Sequence, residues 1–314
     1  MSDYPFPGNK RYNSYNEYFK RTFGGRVQKL SVNAGFTCPN RDGTVATGGC
    51  SFCDNDAFHP SYCTPQKTVT LQLEEGKQFH AWRYRRSIKY LAYFQAYSNT
   101  YAPVKVLHRL FNEALSVPGI TGLVIGTRPD CINDDILRLL SELSASYYII
   151  IEYGIESIYD ETLKVINRGH DFSAAVDALE KTAARGIRSG AHFILGLPGE
   201  TREMMMAMAP AISSLPLDTV KFHQLQIVRG TRIADEYKSN PDDFYTFSLE
   251  DYIDFITAFL ERLTPAIVVE RFAGEVPPRF LVSNPWGMVR YDAIARMVES
   301  ELEKRDTWQG RLYM

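Results

Sequence analysis

The sequence lacks the features that define several broad classes of protein. Its 35 Lys and Arg residues are offset by 37 Asp and Glu residues, and the formal charge of −2 excludes a globally basic nucleic-acid coat, although not a local basic patch. No segment approaches the roughly 20 apolar residues that a membrane-spanning helix needs. The first residues, MSDYPFPGNKRY, contain no apolar signal segment. We therefore expect a cytoplasmic protein with no membrane partner.

Cysteine is also scarce. Five cysteines among 314 residues, an odd number without a secretion signal, do not predict a disulfide framework, so the thiols need another explanation. Internal repeats and low-complexity tracts are absent as well. The 18 Phe and 19 Tyr residues supply ample material for a core and argue against disorder.

Short apolar runs alternate with helical patterns over the first 230 residues. The runs that predict strands are 27–32, 89–94, 122–126, 147–153, 189–195 and 219–227. Between them, apolar residues recur with the 3.6-residue period of a helix, and Gly186 stands where one such helix would end. Repeated strand–helix units require parallel strands with right-handed crossovers. We predict an α/β fold, a partial (β/α)6 TIM-like barrel with a small C-terminal accessory extension.

The pattern changes after Gly230. Residues 249–263 predict an amphipathic helix, 266–272 one more strand, and 289–303 a last helix. We therefore predict two units: a partial barrel over 1–232 that includes a basic and aromatic N-terminal segment, and an α/β accessory extension over 233–314. Functional side chains are expected at the carboxyl ends of the barrel strands.

Three cysteines stand in a glycine-rich loop directly after the first predicted strand. Cys38 is followed by eleven residues and Cys50, and then by two residues and Cys53. A Cys-x-x-Cys pair brings two sulfurs to one metal centre, and inward-facing backbone amides would stabilise the thiolates. Three ligands are an incomplete set, which suits a metal site kept open for a substrate or a cofactor.

A structural zinc site is the alternative. Cys63 would complete a Cys₄ set and His59 a Cys₃His set. Such sites usually pair two short Cys-x-x-Cys segments, and this sequence has one. Cys131 stands alone and is interpreted as a packing residue.

The cysteine loop, which closes with GGCSFC, resembles that of the radical SAM superfamily. The likeness is to the YhcC-type branch and to the radical SAM domain of the elongator catalytic subunit. The eleven-residue gap fits this branch, whereas most of the superfamily has a three-residue gap. The same resemblance is carried by TRPD, YGIESI, NRGH and GAHFILGLPGET, which follow or include the third, fourth and fifth strands. It extends from about residue 11 to about residue 232.

The resemblance implies an enzyme with two cofactors. Cys38, Cys50 and Cys53 would hold a [4Fe–4S] cluster and leave one iron for S-adenosylmethionine (SAM), which would be cleaved reductively to a 5′-deoxyadenosyl radical. A reducing electron donor such as flavodoxin or ferredoxin is implied as a partner. The residues implied for SAM binding lie at strand ends, and they are Gln95, Ser98, Asn99, Arg128, Glu156, Arg168, His192, Gly196 and Leu225.

Two of these residues have structural alternatives. Arg128 would form an ion pair with Asp130, and His192 would be an ordinary core histidine. In addition, FQAYSNTY stands where many relatives have a Gly-Gly-Glu segment, and it lacks both the glycines and the glutamate.

The expected substrate follows from composition and resemblance together. Aromatic residues are interleaved with a basic set near the amino terminus, which consists of Lys10, Arg11, Lys20, Arg21, Arg26 and Lys29, and again over 82–86. This mixture suits RNA, whereas a solvated basic face over packed tyrosines is the alternative. Elongator-like relatives modify the wobble uridine of tRNA, so the resemblance favours tRNA, although their acetyltransferase domain has no counterpart here. Two other hypotheses remain. One is a radical SAM enzyme that acts on a small metabolite or a protein, and the other is a non-catalytic zinc-bound RNA-binding protein.

Overall fold

Seven parallel strands form one sheet in the computed structural model, which describes residues 4–54, 60–81 and 89–314. Each strand pairs with the next one along the chain, so that the order in the sheet is the order in the sequence. The strands are β1 (Val27–Val32), β2 (Lys89–Phe94), β3 (Ile120–Thr127), β4 (Tyr148–Glu156), β5 (Arg188–Leu195), β6 (Thr219–Gln224) and β7 (Val268–Arg271).

Helices connect the strands and cover the sheet. Their bounds are α1 (Tyr15–Phe23), α2 (Val69–Ala81), α3 (Val104–Ser116), α4 (Asp134–Ser144), α5 (Asp160–Val165), α6 (Phe172–Ala184), α7 (Arg202–Ser213), α8 (Arg232–Ser239), α9 (Leu249–Arg262) and α10 (Tyr291–Lys304). Several begin at a side chain that accepts a backbone N–H, such as Asn133 before α4 and Asp171 before α6. Within the described ranges, no helix combines the length and the apolar character needed to cross a membrane.

The sheet curls into a half-barrel. Lys29 on β1 and Glu270 on β7 lie at opposite ends of the strand order, yet Lys29 Nζ is 2.7 Å from Glu270 Oε2. In a flat sheet, six strand spacings would separate them by about 29 Å. The predicted α/β partial barrel is therefore confirmed, and the C-terminal extension contributes a seventh strand to the same sheet.

The N-terminal segment lies against the end of the chain. Its backbone joins β7 through a parallel bridge between Ser14 and Val269. Ion pairs add to this contact, since Lys10 Nζ is 2.5 Å from Glu299 and Arg11 Nη1 is 2.9 Å from Asp306. The segment therefore helps to close the barrel between its first and last strands.

These contacts bear on the predicted basic patch. Lys20 is paired with Glu17 on α1, Lys29 points into the barrel, and the rings of Tyr12 and Phe19 are buried. Four of the six basic residues of this predicted patch, Lys10, Arg11, Lys20 and Lys29, are therefore paired with carboxylates. The second predicted patch, residues 82–86, lies outside the described residues.

Candidate active site in the half-barrel

A cavity of about 460 Å³ occupies the interior of the half-barrel. Side chains or backbone of all seven strands line it, together with the loop that carries the three cysteines. A wider groove of about 920 Å³ lies outside the barrel, where α5 and α6 meet the start of α7, and it contains none of the predicted site residues. The interior cavity is therefore the candidate active site.

The cysteine loop forms one wall of this cavity. Cys38, Cys50 and Cys53 all line it, as predicted for residues at the carboxyl end of β1. The backbone folds back on itself before Cys50 because Gly48 and Gly49 have φ values of +80° and +81°, which side-chain-bearing residues rarely adopt. The backbone N–H of Cys53 then donates to the carbonyl of Cys50 at 3.1 Å, which closes the turn between these two cysteines.

Hydrogen-bond donors and cations surround the sulfurs. Cys50 Sγ accepts from Asn40 Nδ2 at 3.5 Å and from Arg168 Nη1 at 3.4 Å. Burial and the neighbouring Cys50 raise the pKa of the Cys53 thiol to about 11, while Arg41 acts in the opposite direction. Within the described ranges, no three Cys, His, Asp or Glu side chains are grouped closely enough to hold a metal ion.

The two remaining cysteines lie elsewhere. Cys63 is buried outside the cavity lining, and its Sγ donates to the carbonyl of Ser31 at 3.0 Å. Cys63 therefore does not share the cavity wall with the other three cysteines, as a Cys₄ zinc set would require. His59, the other alternative ligand, lies outside the described residues. Cys131 is buried below the end of β3, as expected for a packing residue.

The segment after β2 contributes two of its three predicted residues to the cavity. Gln95 and Ser98 line it, whereas Asn99 is fully buried behind the wall. The Asn99 amide donates to the carbonyl of Gly126 at 2.8 Å and thereby ties this segment to β3.

Arg128 forms the ion pair with Asp130 and also lines the cavity. Its Nε and Nη2 donate to the two carboxylate oxygens of Asp130 at 2.8 and 2.7 Å, a bidentate ion pair. It also lines the cavity, and its buried Nη1 has no hydrogen-bond partner in the described structure. The ion pair therefore orients the guanidinium and leaves part of it for a ligand.

Glu156 and Arg168 meet at the end of β4. Arg168 Nη2 lies 3.5 Å from Glu156 Oε1, and both side chains line the cavity. Gly154 makes this approach possible, because a β-carbon there would lie 2.5 Å from Glu156 Oε1 and 2.7 Å from Arg168 Nη2. Glu156 itself has a φ of +73°, a conformation that is rare for residues other than glycine.

Of the three predicted residues within or just after β5 and β6, two line the cavity and one does not. His192 and Leu225 line the cavity, but Gly196 does not. A β-carbon on Gly196 would lie only 2.8 Å from the carbonyl oxygen of Tyr245, so this glycine permits close packing against the segment before α9.

Sequence reasoning missed the floor of the cavity. Here Lys29, Glu152, Lys221 and Glu270, from β1, β4, β6 and β7, form a buried ring of ion pairs. Distances around the ring run from 2.5 to 3.1 Å. His192 Nε2 adds a contact of 3.1 Å to Glu152. Although burial opposes ionisation of Glu152, Lys221 and Lys29 hold its pKa well below the ordinary range.

A sequence signal for this ring exists. Glu152 interrupts an otherwise apolar and aromatic run in a predicted strand, Lys221 stands between Val220 and Phe222 in another, and Glu270 follows two valines in a third. A charge in a parallel strand that is covered on both faces needs a partner, because unpaired burial is costly.

Comparison with known proteins identifies the family. The model of the radical SAM superfamily matches residues 38–210, and that of the radical SAM C-terminal domain matches residues 217–304. This chain belongs to the radical SAM superfamily. It is accordingly an enzyme, with a [4Fe–4S] cluster and SAM as the cofactors of its family.

Relatives in this superfamily confirm the predicted branch. YtqA of Bacillus subtilis is 35% identical over 100% of this chain and 97% of its own length, and YhcC of Escherichia coli is 34% identical over 90% and 92%. The tRNA uridine(34) acetyltransferase of Methanocaldococcus infernus is 25% identical over 58% of this chain and 33% of its own length.

A solved structure shares the fold. The archaeal Elp3 of Methanocaldococcus infernus superposes with a TM-score of 0.67 at 17% identity, over 90% of this chain. This chain spans 64% of the length of that one.

The chemistry of the cavity wall fits the cofactors of the radical SAM family. Three thiols line one wall, and cluster-bound thiolates carry negative charge. Arg168 donates to one of these sulfurs and lies beside Arg128, so positive charge is concentrated there. Among the described residues, Arg128 Nη1 and Arg168 Nε are buried without partners, as expected of donors that serve an anionic group.

Proposed function

We propose that this protein is a cytoplasmic radical SAM enzyme that modifies the wobble uridine of tRNA. The observation that carries the proposal is a single cavity that joins the three cysteines to a deep polar floor. Its volume of about 460 Å³ lies in the usual range for sites that enclose a small ligand or base. A base from a single-stranded RNA loop can enter such a cavity, whereas a base stacked in a duplex cannot.

The cofactor ligands are proposed on the same basis. Cys38, Cys50 and Cys53 would hold the cluster. The side chains proposed for SAM are those predicted residues that line the cavity: Gln95, Ser98, Arg128, Glu156, Arg168, His192 and Leu225. Asn99 and Gly196 would shape its wall from behind, through their contacts with Gly126 and Tyr245.

These residues suit different chemical groups of the cofactors. When bound, the cluster would supply the electron for reductive cleavage of SAM, and a donor such as flavodoxin or ferredoxin would reduce the cluster. The guanidinium groups of Arg128 and Arg168 suit a carboxylate, and the Glu156 carboxylate suits ribose hydroxyls. The strands surround the cavity on one side, and a site closed to water would protect a reactive species from side reactions.

The floor of the cavity favours an uncharged polar substrate group. In the ion-pair ring, two lysines are balanced by two glutamates, so that the ring offers little net charge to a ligand. His223 also lines the cavity, and in the described structure its Nε2 has no hydrogen-bond partner. A uracil ring, neutral and rich in hydrogen-bonding groups, matches this surface. The similarity to a tRNA uridine(34) acetyltransferase supports the same substrate class.

A small polar metabolite is the second candidate substrate. It is favoured by the N-terminal segment, in which Lys10, Arg11 and Lys20 are already paired with carboxylates. A zinc-bound RNA-binding protein is disfavoured, because Cys63 lies outside the wall that holds the other three cysteines.

Nucleoside analysis of tRNA tests the proposal. Digested tRNA from a deletion strain is compared by mass spectrometry with tRNA from strains that carry the wild-type gene or Cys50→Ala. We expect one modified uridine to disappear on deletion, to return with the wild type, and to stay absent with Cys50→Ala. An unchanged profile would reject tRNA as the substrate. Release of 5′-deoxyadenosine by the purified anaerobic protein would then point to the metabolite alternative.

A further inference from the structure

The cysteine loop is docked on the turn between α5 and α6. The backbone N–H of Ser51 donates to the carbonyl of Ile166 at 2.9 Å. Asn167, which has a φ of +53°, donates from its side chain to the carbonyl of Gly49 at 2.8 Å. The same turn carries Arg168, so the loop and this arginine are held together.

Asn40 makes the reciprocal contacts from the loop. Its side chain is fully buried, and Nδ2 donates both to the carbonyl of Asn167 and to Cys50 Sγ, the latter at 3.5 Å. The backbone carbonyl of Asn40 accepts from the N–H of Gly49 at 2.8 Å. The turn approaches so closely that a β-carbon on Gly169 would lie 2.4 Å from Asn40 Oδ1. Asn40 therefore contacts the turn, the loop and a sulfur at once.

We propose that Asn40 and Asn167 form an asparagine pair that positions the cysteine loop and supplies an N–H···S bond to Cys50. The inference rests on the proposed role of Cys50 as a cluster ligand. A loop with eleven residues between its first two cysteines has a large conformational entropy to lose, so it needs contacts that fix its course. Hydrogen bonds to a cluster sulfur stabilise the reduced, more negative state, and thereby raise the reduction potential.

The docking role is tested in the protein without cofactors. Asn167→Gly removes the side-chain bond to Gly49, and glycine accepts the positive φ at this position. Arg41 is exposed within the loop, so tryptic cleavage after it reports loop opening. We expect cleavage to become about fivefold faster, as for the loss of one hydrogen bond. The matched control is Asn112→Ala on α3, which removes an exposed bond to the carbonyl of His108. Equal rates in both variants and the wild type would overturn the docking role.

The electrostatic role is tested on the reconstituted holoprotein. Asn40→Asp keeps the shape of the side chain but places carboxylate oxygen beside Cys50, so the midpoint potential should fall. We expect at least a tenfold change in the ratio of reduced to oxidised cluster at fixed potential, which is about 59 mV for one electron. Electron paramagnetic resonance during a redox titration measures it, with iron content determined for each sample. An unchanged potential at full iron content would refute the N–H···S role.

The two proposals fail in different ways. A wild-type protein that binds no iron would defeat the assignment of Cys50 as a cluster ligand, and with it the proposed chemistry. Asn167→Gly decides the docking role on its own, even where Asn40→Asp assembles no cluster, because proteolysis requires none.

Discussion

Replacing Glu152 by Gln should strongly destabilise the half-barrel. Glu152 is the centre of the buried ring, with Oε1 2.8 Å from Lys29 Nζ and Oε2 2.5 Å from Lys221 Nζ. Its side chain is 1% exposed, and the two lysine side chains are 14% and 5% exposed. The glutamine preserves the shape but leaves two buried lysines to share the single carboxylate of Glu270. Breaking a buried ion pair from one side costs about 3–5 kcal/mol of unfolding free energy.

Chemical denaturation of the cofactor-free protein measures this cost. Urea unfolding is followed by circular dichroism at pH 7, with Glu161→Gln as the control, since Glu161 pairs with Lys164 on the exposed surface of α5. We expect a large fall in the midpoint for Glu152→Gln and none for the control. Similar midpoints for both variants would show that the ring adds little stability and would refute the reasoning.

The pH dependence of the same difference gives an independent check. The two lysines lower the pKa of Glu152 in the folded state below its value in the unfolded chain. Such a group stabilises the protein fully above the unfolded pKa, about 4.3, and this stabilisation is lost as the pH falls through the folded pKa. The difference in unfolding free energy between wild type and Glu152→Gln should therefore be constant near pH 7 and shrink below about pH 4. A gap that widens on acidification would contradict the proposed ionisation.

Two further predictions concern the cysteines and Glu200. Substituting alanine for any of the three cavity cysteines should abolish iron binding after anaerobic reconstitution, whereas Cys63→Ala should retain it. Iron loss in Cys63→Ala would require a different ligand set. Burial raises the pKa of Glu200 to about 7. Because this folded pKa exceeds the unfolded one, its contribution to stability is complete below about pH 4.5 and is lost as the pH rises through 7. In Glu200→Gln, the unfolding midpoint should depend less on pH between pH 5 and 8 than in the wild type. An unchanged pH dependence would exclude Glu200 as its source.

The sequence predicted elements where a local pattern determines structure. Strands β1 and β2 have the predicted bounds, because each is a short run of β-forming residues bordered by turn-forming segments. Strand β6 ends three residues earlier than predicted, at Gln224, whose side chain exchanges hydrogen bonds with the backbone of Gly274. That contact comes from 50 residues away, beyond the reach of local periodicity.

The candidate site was predictable to the extent that its residues belong to motifs. The cysteine spacing and the strand-end motifs led to ten of the residues that line the cavity, including the three cysteines. Asn99 and Gly196 lie behind the wall because tertiary contacts with Gly126 and Tyr245 determine where they face. The ring of Lys29 and its partners was not found, since its four residues are spread over the whole chain and meet only when the sheet curls.

The pairing of β7 with β6, together with its ion pair to β1, makes the barrel dependent on the end of the chain. Strand β6 takes Val268 and Val269 of β7 as its neighbours, and β7 in turn holds Glu270 against Lys29. A fragment cut at residue 232 would present the unpaired edge of β6 to solvent, a surface prone to intermolecular strand addition. Without Glu270, Lys29 and Lys221 would also have to share the single carboxylate of Glu152. Shortened versions for crystallography or assay should therefore retain the last strand.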